Sequence, residues 1–66
     1  MWKPEIGDNA GKIWRAIDQH GPANISQLKK LTRFDDKNLF FALGWLARED
    51  KIKFSTDKRQ IIINLK

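Results

Sequence analysis

Asn38-Leu39-Phe40-Phe41-Ala42-Leu43-Gly44-Trp45-Leu46-Ala47-Arg48-Glu49 runs with helical spacing, and the pattern then changes period. Leu39, Ala42, Leu43 and Leu46 recur at the three- and four-residue intervals that put side chains on one face of a helix. From Lys51 the alternation is two: Ile52 and Phe54 point one way, Lys51 and Lys53 the other. In Ile61-Ile62-Ile63-Asn64-Leu65, the residues Ile61, Ile63 and Leu65 share a face, with Gln60, Ile62 and Asn64 on the opposite one. Five polar residues, Thr56 to Gln60, separate the two strand-like runs. A helix feeding directly into a hairpin therefore closes the chain.

Upstream, Ile6, Ala10, Ile13, Trp14 and Ile17 form one stripe of a first helix, which predicts a buried Trp14. Gly21-Pro22 ends it, because Gly suits a left-handed cap and Pro cannot continue a helix. His20 falls in the last turn, where its ring suits the helix dipole, a structural role rather than a chemical one. Ala23-Asn24-Ile25 is a short extended piece. Ser26 is the expected cap of a second helix over Gln27 to about Thr32, with Leu28 and Leu31 facing in and Lys29 and Lys30 facing out. Arg33-Phe34 makes a turn, and Asp35 or Asp36 caps the third helix. Short helix, tight turn and longer helix form a helix-turn-helix unit. The fold class is α+β: three helices, a short strand and a C-terminal β-hairpin, in a single domain spanning 1–66.

Composition narrows the function classes. Three Trp and four Phe supply large burial units to a chain of 66 residues. With no Cys, thiolate chemistry and disulfides are excluded, and a reducing, cytoplasmic setting is expected. One His is too few for a His-based metal site, so no metal or cofactor is expected. No apolar run approaches the roughly 18 residues of a membrane helix. No nucleophile–base set or phosphate-cradling Gly loop supports an enzyme. The net charge of +5 is uneven: residues 51–66 carry +4, residues 21–32 carry +2, and residues 33–50 are net −1. A basic hairpin is an electrostatic footprint for nucleic acid.

The order helix, short strand, helix, helix, hairpin resembles the prokaryotic winged helix-turn-helix superfamily along the whole chain. Ala42-Leu43-Gly44-Trp45-Leu46-Ala47-Arg48-Glu49-Asp50-Lys51-Ile52 looks like the run that ends recognition helices and opens wings in such regulators. More narrowly, Ile6-Gly7-Asp8-Asn9-Ala10-Gly11-Lys12-Ile13-Trp14, together with Ala42 to Glu49, is similar to a small family of stand-alone winged helices without an assigned function. The resemblance implies a DNA-binding, regulator-like protein and admits a dimer.

In that layout the third helix enters the major groove, and its N-terminus and the wing meet phosphates. At about 100° per residue, the face opposite the buried one carries Lys37, Phe41, Gly44, Trp45 and Arg48, with Phe40 and Ala47 at the flank. Candidate duplex contacts are Ser26, Gln27 and Lys30 on the second helix, Lys37, Asn38, Phe41 and Arg48 on the third, and Lys58 and Arg59 on the wing. Asp35, Asp36 and the outward aromatics oppose this reading, since exposed aromatics more often mark protein contacts. The rival is therefore a protein-interaction or self-association surface built from Trp2, Phe41, Trp45 and Ile62. In a third arrangement Trp45 folds under the wing against Ile62 and belongs to the core. Gly44 costs a helix interior about 1 kcal/mol relative to Ala; that cost predicts close approach by another group, and Gly11 invites the same reading.

Overall fold

The computed structural model describes residues 3–66. Helix α1 spans Lys3–His20, strand β1 Ala23–Asn24, helix α2 Ile25–Thr32, helix α3 Asp36–Arg48, strand β2 Ile52–Asp57 and strand β3 Gln60–Leu65. The strands form one antiparallel sheet in the order β1-β3-β2, so β3 is central and β2 is an edge. Helix α1 lies against α3, and the buried face of the sheet closes the core from below.

The core joins every element: Ala10, Ile13 and Ile17 of α1, Ala23 of β1, Leu28 of α2, Leu39, Ala42, Leu43 and Leu46 of α3, Ile52 of β2 and Ile63 of β3. The expected inner face of α3 is buried in full. No polar side chain is buried among the described residues, so apolar contact alone organises this interior.

Helix ends follow local chemistry. Gly21 has φ 86° and donates its N–H to the Ile17 carbonyl at 2.7 Å, the expected left-handed stop of α1. Pro4 lies inside the first turn of α1, where a missing N–H breaks no intrahelical bond. Asp35 caps α3 by accepting the Asn38 N–H at 2.9 Å. At its other end Lys51 N–H donates to the Leu46 carbonyl and Asp50 N–H to the Ala47 carbonyl, with Asp50 at φ 60°. These paired bonds form a Schellman stop that turns the chain into the hairpin.

Several expectations are corrected. Ser26 does not cap α2; Asn24 does, through a reciprocal capping box with Gln27, so the helix begins at Ile25. Trp14 is not core: it is 37% exposed, about 70° around α1 from the centre of the Ile6–Ala10–Ile13–Ile17 stripe. Leu31 is 43% exposed, because Ile25, Leu28 and Thr32 form the inward line of α2 and Leu31 falls roughly a quarter-turn off it. The five-residue gap at Thr56–Gln60 is a two-residue turn. The strands extend to Asp57 and from Gln60, which pair with each other, and Lys58 and Arg59 alone cross over.

Candidate functional site

The α2–α3 corner is held by the two carboxylates whose charge opposes the approach of DNA. Asp36 pairs with Lys29 of α2, Oδ1 to Nζ at 2.6 Å, and Asp35 is the α3 cap. Thr32 Oγ1 donates to the Leu28 carbonyl at 2.7 Å and accepts the Phe34 N–H at 3.3 Å. Arg33, at φ 61°, ends α2 in the left-handed conformation. Both carboxylates thus serve local architecture, and the Lys29 ammonium offsets the charge of one.

The wing is set by its turn. Lys58 and Arg59 have φ 49° and 70°, positive at both central positions, as a type I′ turn requires. This turn matches the twist of the flanking strands and presents two adjacent cations at the tip. Arg59 also lines a shallow notch with Asn24, Ser26 and Gln60, which brings the wing tip beside the start of α2. The link is direct at one point: Asn24 Nδ2 donates to Gln60 Oε1 at 3.0 Å.

Of the expected duplex contacts, Ser26, Lys30, Lys37, Asn38, Phe41, Arg48, Lys58 and Arg59 are exposed. Gln27 is exposed too, but its side chain is committed to the cap, Oε1 accepting the Asn24 N–H at 2.9 Å. Ser26 and Arg59 come together; Lys37 and Arg48 lie eleven residues apart on α3, about 16 Å along its axis.

The faces of α3 are more apolar than the fold's usual use demands. On the wing side, Phe40 and Gly44 border a depression with Ile25, Phe54 and Ile61. Phe40, Phe54 and Ile61 are 53%, 52% and 50% exposed. Phe54 shares the inner face with Ile52 and pairs with the buried Ile63, yet is half exposed at the rim of this depression. On the other side, Trp45 is half-buried against the core and shares a groove with Trp14, Gly7 and Gly11 of α1.

Trp45 and Ile62 therefore do not meet. Ile62 sits on the outer face of the sheet, paired with Asn24 and Ser55, whereas Trp45 faces α1; neither the single Phe41–Trp45–Ile62 patch nor the tucked-under-wing arrangement forms. The interface expectation at Trp2 lies outside the described residues. The close approach expected at Gly44 is absent within the chain: a Cβ there would meet nothing within 4 Å, and at Gly11 only Arg15 Nη1, at 3.7 Å. The exposure of Phe54 and Ile61 is not legible in the sequence, because periodicity gives a direction and not the extent of the layer that covers it.

Among the described residues no cluster of three or more His, Asp or Glu is arranged to hold a metal, and no helix is long and apolar enough to cross a membrane.

Three helices, a helix-turn-helix corner and a three-stranded antiparallel sheet ending in a tight basic hairpin define a winged helix-turn-helix domain. The chain belongs to the winged helix-turn-helix domain family DUF2582, whose profile matches residues 1–65. It is 41% identical over 69 residues to the uncharacterized protein MJ1608 of Methanocaldococcus jannaschii, a match covering 100% of this chain and 96% of that protein. Its fold is similar to the solution NMR structure of protein BT2368 from Bacteroides thetaiotaomicron, with a TM-score of 0.88 and 32% identity. That match covers 98% of this chain and 79% of the other.

Proposed function

We propose that this chain binds duplex DNA as a small regulator-like protein, anchored mainly on phosphates and reading little sequence. The observation that carries this is the type I′ turn, which holds Lys58 and Arg59 side by side at the wing tip, next to Ser26 at the start of α2. Two guanidinium or ammonium groups on a rigid projection suit a phosphate backbone, which accepts cations regardless of base. Lys30, Lys37 and Arg48 add positive charge on α2 and α3. Direct readout is weak because the outward side of α3 places Phe40, Phe41 and Gly44 where base-reading donors would stand. Nothing in this mechanism requires a cofactor or catalysis.

The test is an amide NMR titration with a mixed-sequence duplex of about 20 bp, at low salt and at about 150 mM. Expected shifts cluster at residues 26–30, the outward face of α3 and residues 57–60, and shrink with salt. Absence of shifts at both salt concentrations rejects the DNA reading. It favours the second reading, a protein contact at the apolar depression of Phe40, Phe54 and Ile61, which is supported by three large side chains left about half exposed in one place.

A further inference from the structure

Strand β2 is the open edge of the sheet, and its hydrogen-bonding alternation can be assigned. Lys66 N–H donates to the Lys51 carbonyl at 3.0 Å, so Lys51 and Lys66 form a hydrogen-bonded pair in the register of the hairpin. Every second residue repeats that geometry. Lys53, Ser55 and Asp57 direct their backbone groups to Asn64, Ile62 and Gln60. Those of Ile52, Phe54 and Thr56 consequently face the open edge. The far side of β3 is treated differently: beyond the reach of β1, the Leu65 N–H is taken by its neighbour's side chain, Asn64 Oδ1, at 2.8 Å.

A six-residue edge with a free row of donors and acceptors is a template for another strand. Lysine on an edge normally discourages such pairing, and Lys53 is exposed on this one. Its charge has a complement four residues along the same strand face. Pairing two copies of β2 antiparallel, with a two-fold axis at Ser55, sets Lys53 opposite Asp57 of the other copy, twice by symmetry. In the same register the edge-facing groups of Phe54 meet those of Thr56 in the other copy, so the free backbone groups become partners. The two Phe54 rings become diagonal neighbours on the inner face, beside the depression lined by Phe40, Gly44 and Ile61. Ile62 and its mate flank the axis on the outer face, next to the Ser55 pair.

We infer that β2 is a self-pairing edge and that its occupant is a second copy of this chain, joined antiparallel about Ser55 into a continuous six-stranded sheet. Charge complementarity selects the copy: Lys53 and Asp57 are matched only when the same strand runs in the opposite direction. The pairing also covers Phe54, which the monomer leaves 52% exposed. The same register ends with Ile52 opposite Lys58 of the other copy, so the wing turn lies at the margin of the paired segment, and self-pairing itself does not rest on DNA binding.

The test is sedimentation equilibrium on the full chain from about 10 µM to about 1 mM, comparing the native sequence with Lys53→Asp, Asp57→Lys and the double reversal. The expected result is a reversible dimer that each single reversal weakens by about tenfold or more, since two attractive pairs become repulsive, and that the double reversal restores. Because the chain has no cysteine, Ser55→Cys gives a second readout free of background. Residues facing across the axis have Cα atoms close enough for a disulfide, so oxidation yields a covalent dimer whose amide spectrum matches that of the native dimer. A chain that stays monomeric over the whole range overturns the proposal. So does a dimer that both single reversals leave intact and that Ser55→Cys fails to cross-link.

Discussion

Asn24 and Gln27 cap helix α2 reciprocally: Asn24 Oδ1 accepts the Gln27 N–H at 2.8 Å, and Gln27 Oε1 accepts the Asn24 N–H at 2.9 Å. The same Asn24 amide reaches Gln60 in β3 at 3.0 Å, so one residue ends β1, starts α2 and ties both to the wing. Asn24→Ala is expected to cost about 1–2 kcal/mol, lowering Tm by roughly 4–8 °C per kcal/mol in a domain of this size. Ser26→Ala at the neighbouring exposed position is expected to stay within about 0.5 kcal/mol. Thermal melts of the two variants check the assignment; a larger loss from Ser26→Ala would return the cap to that residue.

The wing turn separates stability from binding. Left-handed Lys58 and Arg59 carry backbone strain that Asn and Gly relieve in a type I′ turn. The double substitution Lys58→Asn, Arg59→Gly is expected to raise stability by about 1 kcal/mol while weakening binding to all duplexes alike. Denaturant melts and duplex titrations on the same protein measure both. Unchanged duplex affinity would remove the wing from the DNA interface.

Gly44 stands in the interior of α3 with open space where a Cβ would be. Gly44→Ala is therefore expected to stabilise the monomer by about 1 kcal/mol. Chemical denaturation settles the sign. A destabilised variant would show that α3 is packed more tightly there than the open geometry allows.

Trp14 and Ile13 are adjacent on α1 but differ in surroundings: Ile13 is fully buried, and Trp14 lines the groove shared with Trp45. Ile13→Ala is expected to cost about 2–5 kcal/mol. Trp14→Ala, despite the larger deletion, is expected to cost about half as much or less, because part of the ring is already in water. Equal losses in equilibrium unfolding would place Trp14 in the core after all.

Much of this architecture was legible in the chain. The inner face of α3 follows from Leu39, Ala42, Leu43 and Leu46 at helical spacing, and all four are buried. Gly21-Pro22 stops α1, one of the two aspartates caps α3, and the alternation after Lys51 announces the hairpin. These signals are local: helix period, strand period and cap chemistry act over a few residues, so the order of side chains carries them. The chain order, the winged-helix class and the excess charge at the hairpin were determined at that level.

Other features depend on what one element covers of another. Trp14 and Leu31 lie off the centre of their helices' buried lines, and Phe54, on the inner face of its strand, is half exposed at the rim of a depression. How wide a buried line is depends on what neighbouring elements cover. The choice of Asn24 over Ser26 as cap came with the entry of β1 into the sheet, which sets where α2 begins. The separation of Trp45 from Ile62 reflects the packing of α3 between α1 and the sheet, which puts those residues on different sides of the domain. The free edge of β2 likewise exists only once the strand order β1-β3-β2 is known. Non-local burial and strand order arise from contacts between residues far apart in the chain, and only the tertiary structure decided them.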